Sequence, residues 1–314
     1  MNAVPASAVG NPWCYRISGL NVRSDFPLLG SIALDAPPAF PDLDIRFGDV
    51  PASLEGAVEI GPNWLSAPPQ FLLTVPGVVR ILVASGSEMV VAPAPGVAIE
   101  DAAIFVVGTG IAIALYQRGV LILHASAVTH KDRAFAFSGV SGAGKSTLAA
   151  LLCLNADCEM LSDDVSAVDL AGARPLLWAD GRRFRLWEDV IGWLRLADRR
   201  GLPVRTAINK YHIEFPAYDH PQLPPLRAIY MLANLPEGSA PTIEPVPFGQ
   251  AAFSLDRLAY RPVLSRQLRQ QTQKFEQMAK LLRHVPVYLF SRSPAEADNA
   301  RSVTALKEHW AALA

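Results

Sequence analysis

Hydrophobic and polar residues alternate along the first hundred positions. LDIRF puts Leu43, Ile45 and Phe47 on one side of an extended chain, the pattern of a half-buried strand. FLLTVPG, VVRILVASG and EMVVAPAPG follow as short β runs broken by Pro and Gly. The pattern predicts a β-rich region over residues 1–98, a structural or substrate-presenting module with no chemical motif of its own. After Gly96 the period changes. A helix is expected over about Ile99 to Gln117, then strands at VLILHASAV and AFAFSGV with KDR near the turn between them. Ser146 to Leu154 reads as a helix, and DCEMLS and VSAVDL as strands. Further strands are expected at NKYHIEF, LRAIYML and VPVYLF, with helices over Phe248–Tyr260, Arg266–Arg283 and Pro294–Leu313. Strands and helices mixed in this way predict an α/β domain over residues 99–314.

Composition narrows the class. The chain has 314 residues, 51% of them hydrophobic, and a formal net charge of −1. That is long enough for a large core and gives no global field for nucleic acid or an anionic membrane. Cys14, Cys153 and Cys158 form neither a disulfide framework nor a paired zinc motif, and read as reduced thiols of a cytoplasmic protein. No basic stretch followed by an apolar block opens the chain, so no signal peptide is expected. Ala102 to Tyr116 is uncharged but shorter than the roughly 20 residues a membrane span needs, so a buried core helix is expected there.

The chemistry begins at GVSGAGKST. Gly139, Gly144, Lys145 and Ser146 satisfy G-x4-G-K-[ST], between an apolar strand and an apolar helix. The loop over Gly139, Ser141, Gly142, Ala143, Gly144, Lys145, Ser146 and Thr147 is the expected nucleotide cradle. Glycines let backbone N–H groups turn inward onto phosphate oxygens, and the following helix adds its positive end. Lys145 would reach the β/γ-phosphates and Ser146 would ligate Mg²⁺, so the expected cofactors are ATP and Mg²⁺. Transporter ATPases, small-molecule kinases and GTPases share this loop, and so do adenylylsulfate kinases, where it stands near the start of the domain. No LSGGQ-like signature follows it, which argues against a transporter ATPase; no NKxD follows, which argues against a guanine-specific GTPase.

Asp163 and Asp164 end the strand after the phosphate helix, where carboxylates can hold a metal or position an acceptor. In a regular strand neighbouring side chains point to opposite faces, so both reach one crevice only if the chain turns there. His124 lies in an apolar strand next to small residues, Ala125 and Ser126. Alone it reads equally as a core histidine or as a group beside a ligand.

LHASAV, SGVSGAGKST and LSDD together resemble the catalytic domain of HPr serine kinase/phosphorylase and its relatives. Those relatives include kinases of lasso-peptide clusters that phosphorylate a precursor peptide on serine. The likeness is specific over about Gly119 to Asp169 and does not reach the first hundred residues. It implies a P-loop kinase domain of the HPr kinase/PEP carboxykinase type beside a smaller β-rich region. It further implies Asp163 as the base for an acceptor hydroxyl, Asp164 and Ser146 on the metal, and catalytic parts for Lys145 and His124. The two aspartates could exchange roles. The glycine-rich IRGLGI stretch of the HPr enzymes has no clear match, which argues against HPr as acceptor and against a reverse phosphorylase activity.

A phosphoryl transition state wants a further cation. Arg182, Arg183, Arg185 and Lys210 are candidates, while Arg195, Arg199 and Arg200 read as a solvated helix face or a dock for an acidic peptide. The resulting expectation is an ATP-dependent kinase acting on a serine of a peptide or protein, with no nucleic-acid or membrane partner and a homo-oligomer left open. A small-molecule kinase and a non-catalytic nucleotide-binding regulator are the alternatives.

Overall fold

The computed structural model describes residues 12–179, 183–205, 208–216, 218, 220, 222–268 and 271–313. The first hundred residues build one nine-stranded sheet. Its order is Ile32–Ala33, Trp13–Ile17, Leu20–Ser24, Leu43–Phe47, Glu88–Pro93, Val79–Ala84, Gln70–Val75, Trp64–Ala67 and Val58–Gly61. Leu43–Phe47 runs parallel to both of its neighbours, and the other pairs are antiparallel. Leu43 and Ile45 point into the core as expected. Phe47 does not: it is exposed at the strand end and packs on the Phe26 ring, centroids 4.9 Å apart.

The apolar segment is a helix from Ile99 to Gln117, opened at Val106–Gly110 by a π-helical turn. By length and composition it could cross a membrane, yet 67% of it is buried inside the protein. It packs on the nine-stranded sheet: Ala102, Val106, Ile113 and Leu115 share one hydrophobic core with Ile17, Val22, Ile81 and Val91. The apolar face of the sheet therefore has a cover, and the helix needs no lipid.

The remainder centres on a six-stranded mixed sheet ordered Cys158–Ser162, Ala125–His130, Arg133–Ser138, Leu226–Asn234, Val287–Arg292 and Thr242–Pro245. Ala125–His130 and Arg133–Ser138 form a hairpin whose turn residues, Lys131 and Asp132, have φ of 50° and 56°, the left-handed pair that a two-residue hairpin turn requires. Arg133–Ser138 then pairs in parallel with Leu226–Asn234, which pairs in parallel with Val287–Arg292. Alternation along Arg133–Ser138 sends Phe135 and Phe137 to one core and Ala134 and Ala136 to the other. On the first face lie the helices Lys145–Asn155 and Asn299–Ala312, with Trp310 stacked on Phe135 at 4.3 Å. On the second lie Phe248–Arg257 and Gln271–His284, joined by the Lys274–Asp256 ion pair. The molecule is thus mixed α/β with several sheets.

Two expectations change here. VLILHASAV is not one strand. Leu121–Leu123 pairs with Ser166–Asp169, Ala125–His130 joins the six-stranded sheet, and His124 stands at the break. Nor do Arg195, Arg199 and Arg200 share a helix face. Arg195 turns at φ 56°, and Arg200 begins the strand Arg200–Arg205, where its guanidinium lies 3.8 Å from the Tyr211 ring centroid and pairs with Glu188 at 2.7 Å.

Candidate active site

The strand Arg133–Ser138 delivers the chain into the loop Gly139–Gly144, and the helix Lys145–Asn155 leaves it. Gly142 and Gly144 have φ of 83° and 81°, a conformation glycine adopts without strain. Gly144 has a second reason to lack a side chain: a Cβ there would stand 2.7 Å from Nη2 of Arg292. Lys145 is buried and lies back across its own loop, donating to the carbonyls of Gly139 at 3.0 Å and Val140 at 3.2 Å. Burial lowers its pKa, against the pull of Asp164 and Asp163.

Cys158–Ser162 runs in the same direction as Arg133–Ser138, because two antiparallel pairings separate them. Its end therefore brings Asp163 and Asp164 beside the loop. Asp164 has φ 71°, which is the turn that lets neighbouring carboxylates serve one region. Their settings differ. The Asp163 side chain is 2% exposed. Its Oδ1 accepts the hydroxyls of Ser146 and Ser126, both at 2.7 Å, and its Oδ2 accepts the backbone N–H of Arg185 at 3.1 Å. The Asp164 side chain is 24% exposed and lines the cleft above the loop, paired with Nη2 of Arg185 at 3.0 Å. Burial pushes its carboxyl up, but Arg185, His124, Lys210 and Lys145 outweigh that and hold it below the ordinary carboxylate value.

His124 reaches the same cleft because its strand breaks there. Its Nδ1 lies 3.1 Å from the Asp164 carbonyl, which can only accept, so Nδ1 carries the ring proton. Burial, and then Lys145, lower its pKa and favour the neutral ring.

The cleft has a volume of about 820 Å³. The predicted residues Gly139, Ser141, Gly142, Gly144, Lys145, Ser146 and Thr147 line it; Ala143 is buried beneath, its N–H donating to the Val140 carbonyl. Of the cation candidates, Arg185 and Lys210 line the cleft. Arg183 does not; it pairs with Glu214 at 2.5 Å and borders a different cavity. Arg182 lies outside the described residues. Arg257, Arg261 and Arg292 also line the cleft, and sequence reasoning missed all three.

Arg292 is the most telling of these. It is 2% exposed, and its Nε is buried with no hydrogen-bond partner. Its Nη2 donates to the Gly144 carbonyl at 3.4 Å, and among the described residues it has no carboxylate partner. Burial lowers its pKa to about 10. A buried guanidinium without an anion is costly, and phosphate oxygens above the loop would offset that cost. No group of three or more His, Cys, Asp or Glu side chains able to hold a metal occurs among the described residues. A divalent cation completed by ligand and water oxygens would not need such a group.

No family model matches the chain, and no curated protein matches it. Among solved structures, the HPr(Ser) kinase/phosphatase from Coxiella burnetii is similar at 11% identity and a TM-score of 0.31, over 61% of this chain and 97% of that one. A likeness of that size carries no argument about activity.

Proposed function

We propose that this chain is an ATP- and Mg²⁺-dependent kinase that transfers the γ-phosphoryl group to a serine hydroxyl of a peptide or protein. The observation that carries the phosphoryl-transfer part is the pairing of a buried aspartate with the loop serine. Asp163 receives the Ser146 hydroxyl while Asp164 stands next to it, turned into the open cleft. That arrangement supports the exchanged assignment of the pair. Asp163 braces Ser146 and serves the metal; Asp164, ionised and beside the cleft, accepts the proton of the acceptor hydroxyl. Mg²⁺, when bound, would neutralise charge on the β- and γ-oxygens.

The other residues divide the remaining work. Lys145 leaves the carbonyls of Gly139 and Val140 for the entering phosphates. Arg292 meets the same anion from beneath the loop, and Arg185 holds Asp164 in place. His124 stays neutral, its Nδ1–H tied to the Asp164 carbonyl, so that it fixes the backbone of the base. As the acceptor oxygen bonds to the γ-phosphorus, the bond to the β-bridging oxygen breaks and ADP leaves. The choice of serine rests on the resemblance of LHASAV, GVSGAGKST and LSDD to HPr-type serine kinases. A flexible peptide suits an open cleft, at the cost of its ordering entropy.

The test is mass spectrometry after incubation with ATP–Mg²⁺ and short serine-containing peptides encoded beside the gene, each with a serine-to-alanine control. A gain of one phosphate that vanishes with a single serine is expected. Phosphate appearing on a metabolite while every peptide stays unmodified would replace this reading with a small-molecule kinase.

A further inference from the structure

Six cationic side chains line the phosphate cleft, Lys145, Arg185, Lys210, Arg257, Arg261 and Arg292, against two carboxylates, Asp164 and Asp189. The loop and the base account for part of that excess. Lys145 and Arg292 lie against the loop, Lys210 acts on both Lys145 and Asp164, and Arg185 is paired with Asp164. Arg257 and Arg261 stand elsewhere. Arg257 ends the helix Phe248–Arg257, and Arg261 lies between it and the helix Pro262–Leu268. Ala259, between the two arginines, pairs with Leu123, the residue before His124. The Tyr260 ring lies 5.7 Å from the His124 ring, and the Tyr260 carbonyl accepts the Tyr116 hydroxyl at 2.5 Å. The segment is therefore fastened beside His124 and Asp164. Both arginines are exposed, and among the described residues neither has a carboxylate partner. Arg257 lies 5.4 Å from the Phe253 ring centroid; Arg261 lies 5.7 Å from that of Trp64 and 3.5 Å from the Thr109 hydroxyl. These neighbours are neutral, so both charges stay uncompensated. Trp64 also brings the nine-stranded sheet to this rim of the cleft.

We infer that Arg257 and Arg261 select an acceptor peptide carrying an acidic residue within about three positions of its serine; this rests on the kinase reading and gives its substrate a charge. Asp164 is an anion and alone would repel an acidic peptide. Two unpaired guanidinium groups beside it reverse that preference, and each gains a charged acceptor it lacks. The reach follows from the geometry. Asp164 Oδ1 lies 4.0 Å from the His124 ring nitrogen, and the Tyr260 ring lies 5.7 Å from the His124 ring. That path, on the order of 10 Å, is covered by three extended residues.

The test uses the full chain and fluorescently labelled single-serine peptides, identical except that the residues two positions to either side of the serine are Asp, Asn or Lys. Binding is read by anisotropy without nucleotide, and phosphate gain by mass spectrometry after addition of ATP–Mg²⁺. The Asp peptide should bind about three- to tenfold more tightly than the Asn peptide, and the Lys peptide more weakly than both, with the spread shrinking as salt is raised. Arg257→Glu combined with Arg261→Glu should invert the order, so that the Lys peptide binds best. An inverted preference is a gain that a misfolded protein cannot show. Affinity of this double variant for a non-hydrolysable ATP analogue should change by less than about twofold, because neither arginine meets the phosphates. Equal binding of the three peptides, binding of none, or an order that survives the charge reversal would each overturn the proposal. So would a loss of analogue affinity of about tenfold, which would assign the arginines to the nucleotide. The two readings fail separately. Phosphorylation without charge preference sinks this inference and keeps the kinase, whereas charge-selective binding of peptides that never gain phosphate keeps the inference and sinks the kinase.

Discussion

Asp163 and Asp164 are neighbours in sequence and differ in almost every physical respect. One is sealed under two serine hydroxyls, and the other sits in a field of cations at the edge of a cleft. The expected result of Asp164→Asn is a loss of transfer by about 10²–10⁴-fold, with nucleotide binding and Mg²⁺ dependence kept. Asp163→Asn should instead raise the Mg²⁺ concentration needed for half-maximal rate. Titrating Mg²⁺ against rate for both variants separates the roles, and the opposite pattern would return the base to Asp163. Arg292→Ala should weaken ATP binding by about tenfold or more, since it removes a charged hydrogen-bond donor from a buried position. Calorimetry with a non-hydrolysable ATP analogue reads this directly, and Arg292→Lys should recover only part of the affinity, because a lysine lacks the planar fork. The loop, Lys145 and the aspartates were legible in the sequence because the conformations they need are local. Arg292 was not, since it meets Gly144 across a separation of 148 residues that no local pattern reports.

At the scale of elements, the break at His124 shows where pattern reading fails. Leu121 to His130 is buried along nearly its whole length, so its hydrophobicity is continuous and carries no sign of the change of sheet. In the first hundred residues LDIRF was readable by its alternation, and FLLTV, VRILVA and EMVVAP as apolar runs bounded by Pro and Gly, whereas WCYRI, LNVRS and WLSA mix in polar residues and carry no such signal. The small sheet carries its own prediction. Burial, together with Arg185, Arg183 and Lys210, lowers the His212 pKa from 6.5 to about 4. Between those values the unfolded chain takes up a proton that the folded chain refuses. Stability should therefore fall as pH drops from about 6.5 towards 4, by at most about 3 kcal/mol and less where solvent screens the ring. Urea unfolding across that range should show the slope, and His212→Gln should make it shallower, with His124 contributing in the same direction.

At the scale of the molecule, the helix Ile99–Gln117 is the joint. Sequence placed it at the start of the second domain, and its side chains share a core with the first hundred residues. A chain beginning at residue 99 would therefore lose the nine-stranded sheet that shares a core with this helix and expose apolar side chains of it. Expressed alone, residues 99–314 should aggregate, while the full chain stays in the supernatant; sedimentation of the two side by side decides it. A soluble, monodisperse fragment would show that the helix finds another cover.

The separation between Gly144 and Arg292 also has a meaning in time. A ribosome adds roughly 5–20 residues per second, so the loop leaves it about 7–30 seconds before the arginine that sits beneath it. In that interval the strand Arg133–Ser138 also waits for its parallel neighbour, Leu226–Asn234. A nascent chain stalled before residue 226 holds the whole GVSGAGKST motif with neither the strand that flanks it nor the buried charge that completes it. Such a chain should pass over ATP, and the capacity to hold nucleotide should appear late in translation, as one of the last properties the growing protein acquires.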